Sequence, residues 1–327
     1  MTIAVLSGGV GAARFLRGLL SIVDAADVTA IVNTGDDTEL HGLAISPDLD
    51  TITYTLAGAI DADRGWGLAG ETWHAIEALA RYADVRPAGS AAGSTWFSLG
   101  DRDLATHMYR TARLAEGASL TEVTREIATA WGLDCELLPM TDTRFRTMLT
   151  LAGSDQLVSF QDYFVRLRHD VPISAVSFEG RGAPLSAAAR SALETAPTIV
   201  VAPSNPLVSI GPIRAVDGVD DLLARRRHRV VAVSPIVGGA ALKGPADRML
   251  AELGFEASVV GVARLYAGVA AVLVIDTVDA HLASAVEAAG MRCVVTDSVM
   301  TTPALAKSLA RTTLMSVGDA LGDRRPR

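Results

Sequence analysis

Four aspartates, Asp36, Asp37, Asp48 and Asp50, fall within fifteen positions of one another, shortly after a glycine-rich stretch. Carboxylates at that density suit a hard divalent cation. Magnesium in particular takes one or two carboxylates together with waters and substrate phosphates. The competing reading is that some of the four cap helices or form turns, and Asp50, just before Thr51-Ile52-Thr53, is the candidate N-cap.

The glycine stretch is Ser7-Gly8-Gly9-Val10-Gly11, followed by Ala12-Ala13-Arg14. Glycines let the backbone approach an anion and turn successive N–H groups toward it, and a following helix adds its positive end. A phosphate cradle is expected; the alternative is a tight strand-to-helix turn with no ligand. Arg14 reads either as a phosphate contact or as a surface helix position. The stretch lacks the Gly-Lys-Ser/Thr ending of a P-loop and does not fit G-x-G-x-x-G, which disfavours a P-loop ATPase and a nicotinamide dehydrogenase.

Further polar loops follow short apolar runs. Pro203-Ser204-Asn205-Pro206 and Ser209 offer donors to a phosphate or a base edge, and Lys243 precedes a helix expected from Pro245. The stretch from Trp96 to Asp103, followed by His107, gathers polar groups at a helix start. Its aromatic pair reads as core packing, and His107 alone as structural. No Ser-His-Asp or Cys-His triad suggests itself, and no two histidines stand four apart. Metal-assisted phosphoryl-type transfer is the chemistry these residue types support best.

Such loops need a sheet to present them. Residues 3–6 and 28–32 are apolar runs flanking an apolar-periodic stretch at 12–22, which reads as a βαβ unit. From about residue 51 to 135 strand-like runs vanish and helices broken by glycines take over, one of them starting at Ser119 or Thr121 with Glu122 in its first turn. The α/β pattern then returns, with strands expected at 199–202, 229–233, 271–275 and 292–295. The fold class is α/β: a Rossmann-like, doubly wound, mostly parallel sheet formed by residues 1–50 and 136–327, with a helical insertion at 51–135 helping to form an acceptor site. Ligands of such sheets bind beyond the carboxyl ends of the strands.

Composition limits the partners. The formal net charge is −8, so nucleic acid is not an expected partner. The run from Arg225 to Arg229 reads as a solvated helix end. Cys135 and Cys293 are far apart, imply no disulfide framework, and read as small apolar residues in a reducing cytoplasm. No signal peptide and no apolar run long enough for a membrane span is recognisable.

Eight motifs occur in one order: SGGVGAARFLRGL, VNTGDD, SPDLDTITYTL, WFSLGDRDLATHMYRT, LPMTD, FQDYFVR, APSNPLVSIGPI and AVSPIVGGAALKGPADRML. Across nearly the full chain they resemble the 2-phospho-L-lactate transferases of coenzyme F-420 biosynthesis, a family that includes actinobacterial phosphoenolpyruvyl transferases. The resemblance implies transfer of a phospho-carboxylate unit from a guanosine diphosphate-linked donor to the terminal ribityl hydroxyl of the deazaflavin Fo, with release of GMP, magnesium as cofactor, and a homodimer. The Ala-, Arg- and Asp-rich composition is similar to actinobacterial members and points to the enolpyruvyl rather than the lactyl donor. Carried over by position, Ser7, Gly8, Gly9, Val10 and Gly11 would hold the diphosphate. Asn33, Ser204, Asn205, Pro206, Ser209 and Lys243 would complete the nucleotide site. Asp37, Asp48 and Asp50 would hold the metal, with Asp50 and Asp37 catalytic. Archaeal members often carry a basic residue where this chain has Ser98, so the acceptor contact is supplied differently or that position tolerates change. On this reading Asp50→Asn lowers turnover with little change in thermal stability. The alternative reading is a nucleotide-sugar-binding regulator that shares the core and turns nothing over.

Overall fold

The first glycine loop joins β1 (Ile3–Ser7) to α1 (Gly9–Leu19), and β2 (Val28–Val32) follows. Every residue of both strands is buried, as expected of strands covered on two faces. The structure, a computed structural model, describes residues 2–88, 90, 92–154 and 156–322. A hairpin comes next, β3 (Thr38–Leu40) and β4 (Leu43–Ile45), then α2 (Pro47–Leu56), α3 (His74–Leu79), α4 (Asp103–Ala115) and α5 (Leu120–Ala130). The chain re-enters the sheet with β5 (Glu136–Pro139). It leaves again for a small antiparallel sheet of β6 (Arg146–Leu151), β7 (Leu157–Ser159) and β8 (Ile173–Glu179). The second half runs α6 (Ala187–Thr195), β9 (Thr198–Val201), α7 (Ile210–Ala215), α8 (Val219–Arg225) and β10 (Val230–Val233). Then come the hairpin β11 (Ile236–Val237) and β12 (Ala240–Ala241), α9 (Ala246–Glu252), α10 (Val259–Tyr266), β13 (Val272–Ile275), α11 (Ala283–Ala288), β14 (Arg292–Val295) and α12 (Pro303–Gly322).

The main sheet has seven parallel strands in the order β14-β13-β10-β9-β1-β2-β5. The expected α/β class and Rossmann-like sheet are therefore present. The chain builds outward from β1 to β2 and β5, then returns to β1's other side with β9. The direction of winding reverses between β1 and β9, and a crevice opens there beyond the carboxyl ends. Alternate residues of each strand serve opposite cores. Ala4 and Leu6 pack with Leu193, Leu222 and Val262 on one face, while Ile3 and Val5 pack with Phe15, Leu16 and Leu309 on the other.

Three readings change. Asp50 is not a helix cap: α2 starts at Pro47, its N-cap position is Ser46, and Asp50 lies inside the first turn. The boundary drawn at residues 50 and 51 falls within α2, whose Leu49 and Ile52 pack in the sheet's core. The arginine run is also more than a solvated end. Arg226 donates to the carbonyl of Ala196 at 2.7 Å, Arg227 to that of Ala267 at 2.6 Å and Arg229 to that of Pro197 at 3.4 Å. By contrast, α5 starts as read, with Ser119 and Glu122 forming a reciprocal capping box. No helix among the described residues is long and apolar enough to cross a membrane.

Candidate functional site

The loops after β1 and β9 meet at the winding reversal. A Cβ at Gly11 would lie 2.2 Å from the carbonyl oxygen of Pro203, and one at Gly8 would lie 2.8 Å from Cβ of Ser209. Only glycine lets the two backbones touch. The Ser204 hydroxyl then ties the loops by donating to the carbonyl of Gly8 at 2.8 Å. Gly9 adopts φ +68° as α1 begins, which turns its N–H out of the helix entrance toward the side chain of Asp48.

Asp48 is buried at 8% exposure, and Asn33 donates to its Oδ2 at 2.9 Å. The amide oxygen of Asn33 accepts the Gly35 N–H at 2.8 Å, which fixes the orientation of the amide. Burial pushes the Asp48 carboxyl up to about 6, with Asn33 and the Gly9 N–H offsetting part of the rise. Asp36 and Asp37 lie close by, and burial pushes both well above the usual carboxylate range. Repulsion from Asp48 adds to the rise at each. Ser46 donates to Asp37 Oδ2 at 2.7 Å, but Asp36 Oδ1 and Asp37 Oδ1 are buried with no hydrogen bond. Crowded carboxylates with unsatisfied oxygens and raised pKa values form the donor set that a hard cation relieves.

A stability prediction arises here. The folded pKa of Asp48 lies above its unfolded value near 3.9. The folded state therefore binds the proton more tightly, and stability falls as pH rises from about 4 through 6. Asp48→Asn, measured with chelator present, is expected to raise the midpoint of thermal unfolding at pH 8 and to raise it only about half as much at pH 5. The gain corresponds to roughly 1–3 kcal/mol. An equal shift at both pH values would show that ionisation of Asp48 carries no penalty.

A second cluster lies behind the first. Asp103, His107 and Arg110 are spaced i, i+4, i+7 and so share one face of α4. Arg110, 1% exposed, holds Asp50 through two contacts, Nη1 to Oδ2 at 3.2 Å and Nη2 to Oδ1. His107 stands between two carboxylates, with Nδ1 3.7 Å from Asp50 Oδ2 and Nε2 3.4 Å from Asp103 Oδ2. Tyr54 donates to Asp103 Oδ1 at 2.5 Å. Burial pushes Asp103 up, but His107 and Tyr54 outweigh that and hold its carboxyl below the usual range. Asp50, Asp103 and His107 bring ligand atoms within 4.8 Å of one another, the one such grouping found among the described residues. Arg110 already neutralises Asp50 there, whereas Asp36, Asp37 and Asp48 offer oxygen donors only but do not bring three ligand atoms within that distance of one another.

The sequence-assigned residues thus divide. Gly8, Gly9, Gly11, Asn33, Asp48, Ser204 and Ser209 meet at the crevice, with Asp37 and Asp50 adjoining. Ser7 is fully buried and its hydroxyl donates to the carbonyl of Val5 at 3.2 Å. The Asn205 side chain is engaged in its own turn, accepting from the Leu207 N–H at 2.9 Å ahead of the kink at Pro206. Lys243 reaches across to Gly65, whose Cβ position would lie 2.8 Å from Nζ and 3.8 Å from Val10 Cγ1. Arg14 is half-buried. Trp96 and Phe97 meet edge to face and pack against the small core around Leu99, as read. Burial raises both cysteine thiols to about 11, in keeping with inert apolar roles. Arg110 and Tyr54 were missed. The signal available for Arg110 was its spacing from Asp103 and His107.

Comparison with known proteins fits this geometry. A profile of the family described as 2-phospho-L-lactate transferase CofD matches residues 3–314. A Streptomyces griseus protein described as a phosphoenolpyruvate transferase is 43% identical over 318 residues, covering 96% of this chain and 98% of its own. A Mycobacterium sp. (strain JLS) protein of the same description is 37% identical over 339 residues, covering 98% and 100%. A crystal structure of a Bacillus halodurans protein of the UPF0052 family superposes with a TM-score of 0.60 at 15% identity, covering 96% of this chain and 98% of that one. That last likeness speaks for the fold alone. The chain belongs to the 2-phospho-L-lactate transferase CofD family, and its enzymatic class is that of a phosphoenolpyruvate or 2-phospholactate transferase.

Proposed function

We propose that the protein transfers the phosphoenolpyruvyl group, or the 2-phospholactyl group, from a guanosine diphosphate-linked donor to the terminal ribityl hydroxyl of the deazaflavin Fo. The observation that supports this reading best is the meeting of the β1 and β9 loops at the winding reversal, beside three buried carboxylates. In this reading the N–H groups from Gly9 onward and the start of α1 hold the donor's diphosphate. Ser204 and Ser209 line its nucleoside side, and Lys243 approaches past Val10. Asp37 and Asp48 would hold magnesium, with Asp36 beside them. The ion supplies charge neutralisation on the phosphates.

The chemistry follows from charge and position. The Fo hydroxyl oxygen forms a bond to the distal phosphorus, the one that carries the enolpyruvyl or lactyl oxygen. The bond from that phosphorus to the bridging oxygen breaks, and GMP departs with the electron pair. The hydroxyl proton passes to a carboxylate, with Asp50 and Asp37 as the candidates. Arg110 holds Asp50 in one pose and keeps a positive charge next to it.

The test is an assay of purified protein with magnesium, Fo and each donor in turn. GMP release and an Fo product heavier by the phospho-carboxylate unit are expected, with loss of turnover on chelation. The enolpyruvyl donor is expected to be the faster. Folded protein that turns over neither donor would refute the proposal.

A further inference from the structure

The stretch FQDYFVR, residues 160–166, has no part in the transfer described above. It runs into a five-residue π-helical turn, Asp162–Arg166, a form that is rare and concentrated at functional sites. Phe160 and Tyr163 are buried in the core of the small sheet, and the Tyr163 hydroxyl accepts from Arg248 of α9 at 2.6 Å. Gln161 between them is 5% exposed, so its carboxamide lies inside the protein and needs a partner. Nε2 finds one 125 positions away, donating to the main-chain carbonyl of Asp36 at 3.3 Å.

That carbonyl belongs to a turn in which the Asp37 N–H donates back to the carbonyl of Thr34 at 3.2 Å, with Gly35 and Asp36 at its centre. Three other segments tie its main chain. The Gly35 N–H donates to Asn33 Oδ1 at 2.8 Å, the Gly35 carbonyl accepts the Thr147 N–H of β6 at 2.7 Å, and Gln161 donates to the next carbonyl. Gly35 is also walled in, since a Cβ there would lie 2.6 Å from Thr147 Oγ1 and 2.9 Å from Pro212 Cβ of α7. The side chains of the same turn are the reverse. Thr34 Oγ1, Asp36 Oδ1 and Asp37 Oδ1 are buried without a hydrogen bond. A main chain fixed by its surroundings, carrying side-chain oxygens kept free, is the arrangement of a site held ready before its ligand arrives.

We infer that Gln161 is a positioning residue of the acid loop. It touches no reacting atom. By holding the Asp36 carbonyl it fixes the turn, and with it the directions in which Asp36 and Asp37 leave the backbone. Without that donor the carbonyl is a buried acceptor lacking a partner, and the peptide between Asp36 and Asp37 is free to rotate away. The small sheet thereby acts on the crevice, because β6 and the stretch after β7 brace the acid loop together. That these carboxylates receive a divalent cation rests on the transfer reading above, whereas the brace does not.

Gln161→Met is close to isosteric and has no donor. Hydrogen exchange of the full-length, metal-free protein, read by mass spectrometry, is expected to quicken about fivefold over residues 33–37 and to keep the wild-type rate in β1 and β9. Affinity for Mn2+, the probe ion, read by electron paramagnetic resonance, is expected to fall about tenfold. A residue that merely fills the small core would instead quicken exchange around residues 157–166 and lower the melting temperature, leaving the turn and the ion untouched. Exchange over residues 33–37 at the wild-type rate would overturn the proposal. Gln161→Leu, which also lacks a donor, carries the same measurement if Gln161→Met does not fold. Quicker exchange in the turn with Mn2+ affinity unmoved supports the brace and takes the cation away from Asp36 and Asp37. Wild-type protein that binds no Mn2+ also removes the cation, and the exchange rates alone then decide the brace.

Discussion

Asp50→Asn is expected to slow group transfer by roughly a hundredfold and to lower the folding free energy by about 3–5 kcal/mol. The sequence alone suggests a loop carboxylate whose amide would be tolerated. The structure places Asp50 at 5% exposure with Arg110 on both oxygens. Neutralising the acid takes from the buried guanidinium the carboxylate it is hydrogen-bonded to, and that loss dominates the stability change. The two effects separate in a double variant. Asp50→Asn with Arg110→Met removes both charges, and removing both members of a buried pair costs less than leaving one of them unpaired. Chemical denaturation is expected to show recovery of most of the lost stability, while the transfer assay shows none. Recovery of activity in the double variant would mean that Asp50 serves only to neutralise Arg110.

The second large effect belongs to Gly11→Ala. The new methyl would sit 2.2 Å from the Pro203 carbonyl oxygen, a backbone atom that cannot swing aside like a side-chain tip. Either the β9 loop moves away from the β1 loop or α1 shifts along its axis. Overpacking of this kind typically costs about 1–3 kcal/mol. The larger consequence is local, since Ser204 loses its grip on Gly8 and the crevice widens. Titration calorimetry with GDP is expected to show binding weakened by roughly a hundredfold, whereas the fold persists by circular dichroism. Unchanged GDP affinity would place the nucleotide elsewhere.

These two variants also indicate how much was legible in advance. The central sheet was readable because its strands are short, wholly apolar and each followed by a polar loop. The small sheet of β6, β7 and β8 was not, although Arg146–Leu151 alternates half-buried and buried positions along its length. That alternation is weak because Thr147 and Leu149 both point inward, and a threonine carries no hydropathy signal. The crevice was legible from its glycines and serines. The ion pair of Asp50 with Arg110 was not, because sixty positions separate the partners, one on α2 and the other on α4. Ser7 and Asn205 could not be read as fully from type alone, because the Ser7 hydroxyl and the Asn205 amide oxygen each also bond to the local backbone.

The contact of Asp48 with the Gly9 N–H has a bearing on selectivity. The protein holds a competitor of its own at the helix entrance, tethered and hence at high effective concentration. On the proposed reading, an anion that reaches Gly9 would have to exchange with this carboxylate, so its apparent affinity would be diminished by the fraction of molecules in which the internal partner is seated. A nucleotide arriving with a divalent cation would escape that handicap, because the displaced carboxylate would pass to the metal, so the loop would select against bare phosphate or sulfate by an exchange of partners.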